Sequence, residues 1–374
     1  MSVGYPDGHE ELRQLVRGFL RDKSPSREVR RLAEAGAGRD DAVWAQLAGQ
    51  LGLTGIAVPE QYGGAGYGPA ELGLVLEEMG GALLVSPYFS TVVLAGQALA
   101  AAFDEEARRR WLPGIADGTL TATLAVAEQS GTWDLGGVRA TAERAGDGWA
   151  VTGTKLFVVD GHTAGLLLVV ARAPDGLALF GIEGGAAGVD RAKLDSLDLT
   201  RALASVTLAD AQAVRVDTGA DFAGWLSAVS DLVLAALAAE QVGGAARCLE
   251  LAVDYAKVRE QFGRPIGSFQ AVKHKCAAML LEVESGRSAA AHASAALAGG
   301  QPDGPVAAAV AYDYCSRAFT RAAKECIQIH GGIGYTWEHD AHLYLRRAKS
   351  SQLLLGPPAA RRGKLAELTG LTRI

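Results

Sequence analysis

Two short segments in the last third of the chain carry residues suited to holding a phosphate. The first, Val258-Arg-Glu-Gln-Phe-Gly-Arg-Pro-Ile-Gly-Ser-Phe-Gln270, places Arg259 and Gln270 on either side of a turn marked by Gly and Pro. Arginine offers a fixed fork of donors that matches phosphate oxygens. The same pattern also reads as one helix stopping and another starting. The second segment, Gln328-Ile-His-Gly-Gly-Ile-Gly-Tyr335, carries Gly331, Gly332 and Gly334. Bare glycines let backbone amides approach a dinucleotide. They equally serve as the cap of a helix C-terminus.

Other chemistry has fewer handles. The four cysteines, Cys248, Cys276, Cys315 and Cys326, are widely spaced with no CxxC pair, so neither a zinc site nor a disulfide framework is expected. Free thiols in a reducing cytoplasm are the expectation. No histidines stand at metal-ligand spacing; His330 and His339 read as structural. Glu338 and Asp340 suit a solvated polar turn or a subunit contact. A net charge of −6 argues against a nucleic-acid protein held by general basicity. The opening Met-Ser-Val-Gly-Tyr-Pro-Asp-Gly has no basic and apolar signal-peptide pattern. No run of about 18 uninterrupted apolar residues suggests a membrane span.

These residues must be positioned by a chain of 374 residues that is 49% apolar, long enough for two or three domains. Helical periodicity runs over 10–21, 41–51, 70–79 and 90–103. From about 119 to 216 the period shortens. Apolar runs at 121–127, 149–153, 155–159, 165–172 and 177–182 are separated by Gly146-Asp-Gly, Asp160-Gly and Pro174-Asp-Gly. That spacing predicts a small sandwich or barrel. Long Ala-rich helices follow at 227–259, 269–297 and 306–329 and predict a bundle. The expected architecture is an α+β multidomain chain. An N-terminal helical domain (1–118) precedes a central β-barrel or sandwich (119–218) and a C-terminal four-helix bundle (219–374).

With this order and spacing, the chain resembles the acyl-CoA dehydrogenase family over essentially its whole length. The resemblance rests on both segments above, on Pro59-Glu-Gln-Tyr-Gly-Gly64 and on Ala127-Glu-Gln-Ser-Gly-Thr-Trp-Asp134. It also rests on Gly146-Asp-Gly-Trp-Ala-Val-Thr-Gly-Thr-Lys-Leu-Phe-Val-Val159. It implies an FAD enzyme that converts an acyl-CoA thioester to the α,β-enoyl-CoA and passes electrons to an electron-transfer flavoprotein. A carboxylate takes the α proton while hydride leaves Cβ for the flavin. Such proteins are usually tetramers in which each FAD lies at a dimer interface. By resemblance, Arg259, Phe262, Gln270, Gln328, Gly331 and Gly332 are nucleotide contacts, and Asp231 matches an acidic residue near the thioester.

The chain also departs from the family. The base commonly precedes the glycine of a Tyr-Glu-Gly motif, and Leu355 stands there. A minority of members place it on the first bundle helix, where this chain has Val233. Glu240, two turns further on, is the substitute base to consider. Trp133 replaces a serine that usually contacts the flavin, and Phe157-Val-Val159 replaces Trp-Ile-Thr, losing a hydroxyl. The losses fall on the half-site a subunit builds for its own flavin ring. The retained residues include those that reach a partner's nucleotide. The expectation is one subunit of a heteromer whose partner supplies the base. The alternatives are a homotetramer with an unconventional base, or a non-catalytic binding homologue.

Overall fold

The computed structural model describes residues 7–36 and 38–371; residues 1–6, part of the stretch read for a signal peptide, lie outside them. The chain begins with helices α1 (Asp7–Lys23), α2 (Ser26–Ala35), α3 (Asp41–Gly49) and α4 (Pro69–Gly81). A π-helical run, Phe89–Gly96, passes directly into α5 (Gln97–Ala100), and α6 (Glu105–Ala116) follows. The first half of the stretch read as one helix over 90–103 is therefore wider than α. Side-chain carboxylates start several of these elements. Asp40 Oδ1 accepts from the amides of Ala42 and Val43, and Asp104 Oδ1 accepts from Ala107.

Strands β1 (Ala122–Ala125), β2 (Thr141–Ala145), β3 (Gly148–Val159), β4 (Leu166–Ala173), β5 (Gly176–Glu183), β6 (Val189–Lys193) and β7 (Leu203–Val216) form one sheet. Its order is β1-β4-β2-β3-β7-β5, with β6 also on β7, and β5 returns to pair with β4. The sheet thus closes on itself, through a single β2–β4 pairing at Thr141 and Arg172. The two runs at 149–153 and 155–159 are one strand, β3, whose register slips at bulges beside Gly153 and before Val158. Gly153 (φ 145°) allows the first bulge: a Cβ there would lie 2.7 Å from the Ala140 backbone.

The remainder is helical: α7 (Phe222–Val258), α8 (Gln270–Ala298), α9 (Gly304–His330), α10 (Ala341–Leu353) and α11 (Pro358–Leu368). A short hairpin of β8 (Glu260–Gln261) and β9 (Arg264–Pro265) joins α7 to α8. By length and composition α7 is the one described helix apolar enough to cross a membrane, and 61% of its apolar 18-residue window is buried inside the protein. It is buried nearly all round from Val233 to Ala245, as the central helix of a bundle must be. Its glycines set the spacing. A Cβ on Gly243 would stand 1.8 Å from the Glu77 carbonyl oxygen of α4, and one on Gly244 would stand 2.4 Å from the Phe319 ring of α9. Gly243→Ala is expected to force α4 from α7 and cost about 1–3 kcal/mol, the usual penalty of overpacking. A thermal melt reads this, and an unchanged midpoint would refute so close a contact.

One apolar cluster runs through all three regions. It takes in Val16 and Leu76 of the first helices, Leu124 and Leu168 of the sheet, Val233 of α7, and Leu355.

Candidate functional site

A cleft of about 830 Å³ opens between the N-terminal half of α7, α11, the loop 132–135 and α9. Ser227, Asp231 and Leu234 face it at helical spacing from α7, and Tyr312 faces it from α9. Leu355, buried, also lines it. The backbone there is pinned, because the Leu355 carbonyl accepts from Arg361 Nε at 2.9 Å and also from its Nη2. Burial pushes the Asp231 carboxyl up to about 6, while Lys364 and Arg361 pull it the other way. Val233 is fully buried and does not line the cleft. The two positions where the resemblance would place a base are therefore both apolar, and only Leu355 reaches the cleft.

Beside Leu355 the space toward the sheet is nearly filled. Trp133 lines the cleft and also a residual void of about 10 Å³ bounded by Leu94, Ala127, Phe157, Val159 and Leu354. Phe157 holds a left-handed backbone (φ 57°), uncommon for a bulky residue and a mark of local constraint. The loop before Trp133 is wedged on both sides. A Cβ on Gly131 would lie 3.3 Å from the Phe157 ring, and one on Gly356 would lie 3.2 Å from Thr132 Cγ2. The base of the loop is anchored by Glu128, which accepts from the amides of Arg139 and Ala140 and from Lys155 Nζ at 2.7 Å. Burial lowers the Lys155 ammonium's affinity for its proton, and Glu128 opposes that shift.

Glu240 requires a correction. Although it shares a helix with Asp231, its carboxylate does not line the cleft. It is buried in a separate ionic cluster and accepts from Arg201 Nη2 at 2.5 Å and Arg347 Nη1 at 2.9 Å. Burial alone would raise its carboxyl, but the two guanidiniums outweigh this and hold it below the usual range. A carboxylate so paired is a poor proton acceptor.

The remaining sequence-predicted residues gather at the opposite end of α7. Arg259 ends that helix, and Phe262 and Gly263 form the tip of the β8–β9 hairpin with φ 54° and 75°. Positive φ at both central positions is the type I′ turn. Gln270 opens α8, antiparallel to α9, so Gln328, Gly331 and Gly332 come to the same end. Tyr255 stacks on His330 at 4.4 Å and joins the two segments. Arg259, Phe262, Gln270, Gln328, Gly331 and Gly332 are all exposed. Gly331 (φ 62°) does cap α9, and a Cβ on it or on Gly332 would meet nothing within 4 Å. Gly334 differs: its Cβ would lie 2.9 Å from the Ile327 carbonyl, so it serves packing. From Asp231 to Arg259 the helix rises about 42 Å at about 1.5 Å per residue. A dinucleotide is too short to touch both ends of one chain.

Sequence reading missed Arg361, Lys364 and Tyr312 of the cleft, and Arg201, Asp198 and Arg347 of the ionic cluster. Nothing local marks the cluster, since Arg347 and Asp198 pair across 149 residues.

The chain matches family models for the acyl-CoA dehydrogenase N-terminal domain over residues 6–119 and C-terminal domain over 224–368. It is 34% identical to acyl-CoA dehydrogenase IpdE2 of Mycolicibacterium smegmatis, across 93% of this chain and 94% of that protein. Among solved structures it resembles a variant of the steroid ACAD Tcur3481–Tcur3483, with TM-score 0.88, 33% identity and coverage of 97% and 98% of the two chains. It also resembles the ChsE4–ChsE5 complex from Mycobacterium tuberculosis, with TM-score 0.89, 29% identity and full coverage of both chains.

Proposed function

The chain belongs to the acyl-CoA dehydrogenase family, and from that premise we propose that it works as one subunit of a heteromeric, FAD-dependent dehydrogenase. In this reading its partner supplies the catalytic carboxylate. The observation that carries the proposal is the filled half-site. Leucine occupies the cleft position of the base, and Trp133 leaves about 10 Å³ where a ring would need room. The residues present do not fit a flavin ring on this side.

The other end of α7 does fit a nucleotide. Open space lies beside Gly331 and Gly332, and the exposed Arg259 fork stands at the same end. There Arg259, Gln270 and Gln328 would hold the phosphates and nucleotide of an FAD whose ring lies in the partner, and Phe262 would lie against it. FAD, when bound, supplies the hydride acceptor. This chain's residues would bind and orient its nucleotide end. An electron-transfer flavoprotein would be the class of acceptor for the electrons. Two of the similar structures are named as pairs of components, which supports a two-chain assembly.

The test is to purify the chain alone and with the dehydrogenase of the neighbouring gene. The lone chain is expected to carry little flavin and to show no bleaching by a panel of acyl-CoA thioesters, whereas the pair shows both. Full flavin and turnover from the lone chain would sink the proposal. One observation favours a second reading, a homotetramer with its own base: Asp231 is a cleft carboxyl whose pKa burial raises to about 6. If the lone chain turns over, Asp231→Asn should abolish that activity.

A further inference from the structure

Between the two phosphate-facing segments and the helix that follows lies a small stack of rings that neither the cleft nor the grip explains. His330 is buried at the end of α9, with Nδ1 2.7 Å from the Cys326 carbonyl. Since a carbonyl only accepts, that nitrogen carries a proton. Tyr255 stacks on the ring at 4.4 Å and 28°, and His339 lies at 4.0 Å and 38°. Two rings this close and this nearly parallel cannot share one face, so His330 lies between them.

His339 performs a second task. The amide of Ala341, the first residue of α10, donates to His339 Nδ1 at 3.1 Å. The ordinary cap position, Asp340, makes no side-chain cap bond. Its carboxylate is taken by Arg30 of α2, at 2.8 Å from Nε and 2.6 Å from Nη2, and Arg30 also donates to the Trp337 carbonyl. The segment Gly331–Tyr335 is thus held at its start by His330 and beyond its end by His339, and the two rings touch.

We propose that His339 is a positioning residue for the nucleotide grip, and that its neutral ring holds Gly331 and Gly332 in place while its protonation releases them. The inference rests on the reading of those glycines as a nucleotide grip. Protonating Nδ1 removes the acceptor of the Ala341 amide and places a cation 4.0 Å from His330. The surroundings oppose that charge. Burial comes first, followed by His330 of α9, then Arg30 of α2 and His342 of α10, with Asp340 alone favouring it; together they lower the His339 pKa below its usual 6.5. His330 itself is held above that value by Cys326 despite burial, so it charges before His339 does. Tyr255 is the facing residue of α7. His342 is likewise lowered, by burial and then by Arg346 and Arg30. The sign follows: the neutral, competent form prevails at neutral pH, and binding is lost as pH falls through the depressed pKa.

The test uses the assembled complex of this chain with its partner and reads FAD affinity by flavin fluorescence from pH 8 to pH 5. Wild type is expected to lose affinity toward about tenfold per pH unit below that pKa. His339→Asn keeps an acceptor without a titrating proton. It should bind nearly as wild type at pH 7.5 and show a much flatter profile. His339→Leu, with no acceptor, should bind more weakly even at pH 7.5. An Asn profile as steep as wild type, or a Leu variant that binds normally, overturns the role of His339. Arg259→Ala in the same assay guards the underlying reading. Unchanged affinity there overturns the grip itself, whereas a normal Arg259→Ala loss beside a steep Asn profile overturns only this inference.

Discussion

Replacing Arg347 with alanine is expected to destabilise the protein by about 3–5 kcal/mol, the cost of stranding buried charges. Arg347 is itself buried and uses nearly all of its fork. Nε donates to Asp198 Oδ2 and Thr200 Oγ1, each at 3.0 Å, Nη1 to Glu240 Oε1 at 2.9 Å, and Nη2 to the Thr200 carbonyl at 2.8 Å. Asp198 and Glu240 are nearly inaccessible to water. Removing the guanidinium leaves Asp198 without its ion-pair partner and Glu240 with Arg201 alone. Lysine keeps the charge but has no planar fork to satisfy these acceptors, so Arg347→Lys should recover only part of the loss. Urea unfolding of both variants checks this. An alanine variant within about 1 kcal/mol of wild type would mean that water enters the cluster freely.

Asp160→Asn should change the pH dependence of stability in the opposite sense to an ordinary salt-bridged carboxylate. Asp160 is buried at the end of β3, and its Oδ2 lies 2.7 Å from Ser90 Oγ. The Ser90 hydroxyl also lies 3.0 Å from the Pro87 carbonyl. One hydroxyl proton cannot serve both acceptors, so the arrangement is complete only when Asp160 carries a proton of its own. Burial accordingly pushes its carboxyl up to about 6, despite Ser90 and the nearby Arg201 and Arg347. A folded pKa raised above the unfolded one gives stability that is fully present below about 4 and lost as pH rises through about 6. At about 1.4 kcal/mol per pH unit, the lost contribution reaches about 3 kcal/mol by pH 8. Asparagine cannot ionise. Its advantage over Asp160 should therefore grow by that amount between pH 4 and pH 8 in denaturant titrations. Parallel curves for the two proteins would show that Asp160 ionises without penalty.

These two sites show where the sequence is legible. Periodicity finds α1, α4, α7, α8 and α9 because each buries a face of Leu, Val or Ala at helical spacing. The strand β7 escapes it: Leu-Ala-Ser-Val-Thr-Leu-Ala-Asp-Ala-Gln-Ala-Val-Arg-Val alternates, but with alanine where a strand usually shows branched residues. Gly153 reads as a break between two strands, yet it is a bulge within one. Each half of the proposed grip is legible because the residues within it lie close together in sequence. The ionic cluster is not, because Glu240 meets Arg201 and Arg347 across 39 and 107 residues. Leu355 and Val233 could be placed in register, but only the fold shows that Val233 faces away from the cleft.

The length of α7 has a consequence for concentration. On the proposed heteromer, a grip and a cleft about 42 Å apart leave this chain without a whole cofactor site of its own. On the proposed reading, holding FAD and holding the partner are then linked equilibria, each strengthening the other by mass action. Dilution that separates the chains should release flavin, and added FAD should draw them together. The apparent affinity for FAD would then depend on how much protein is in the tube.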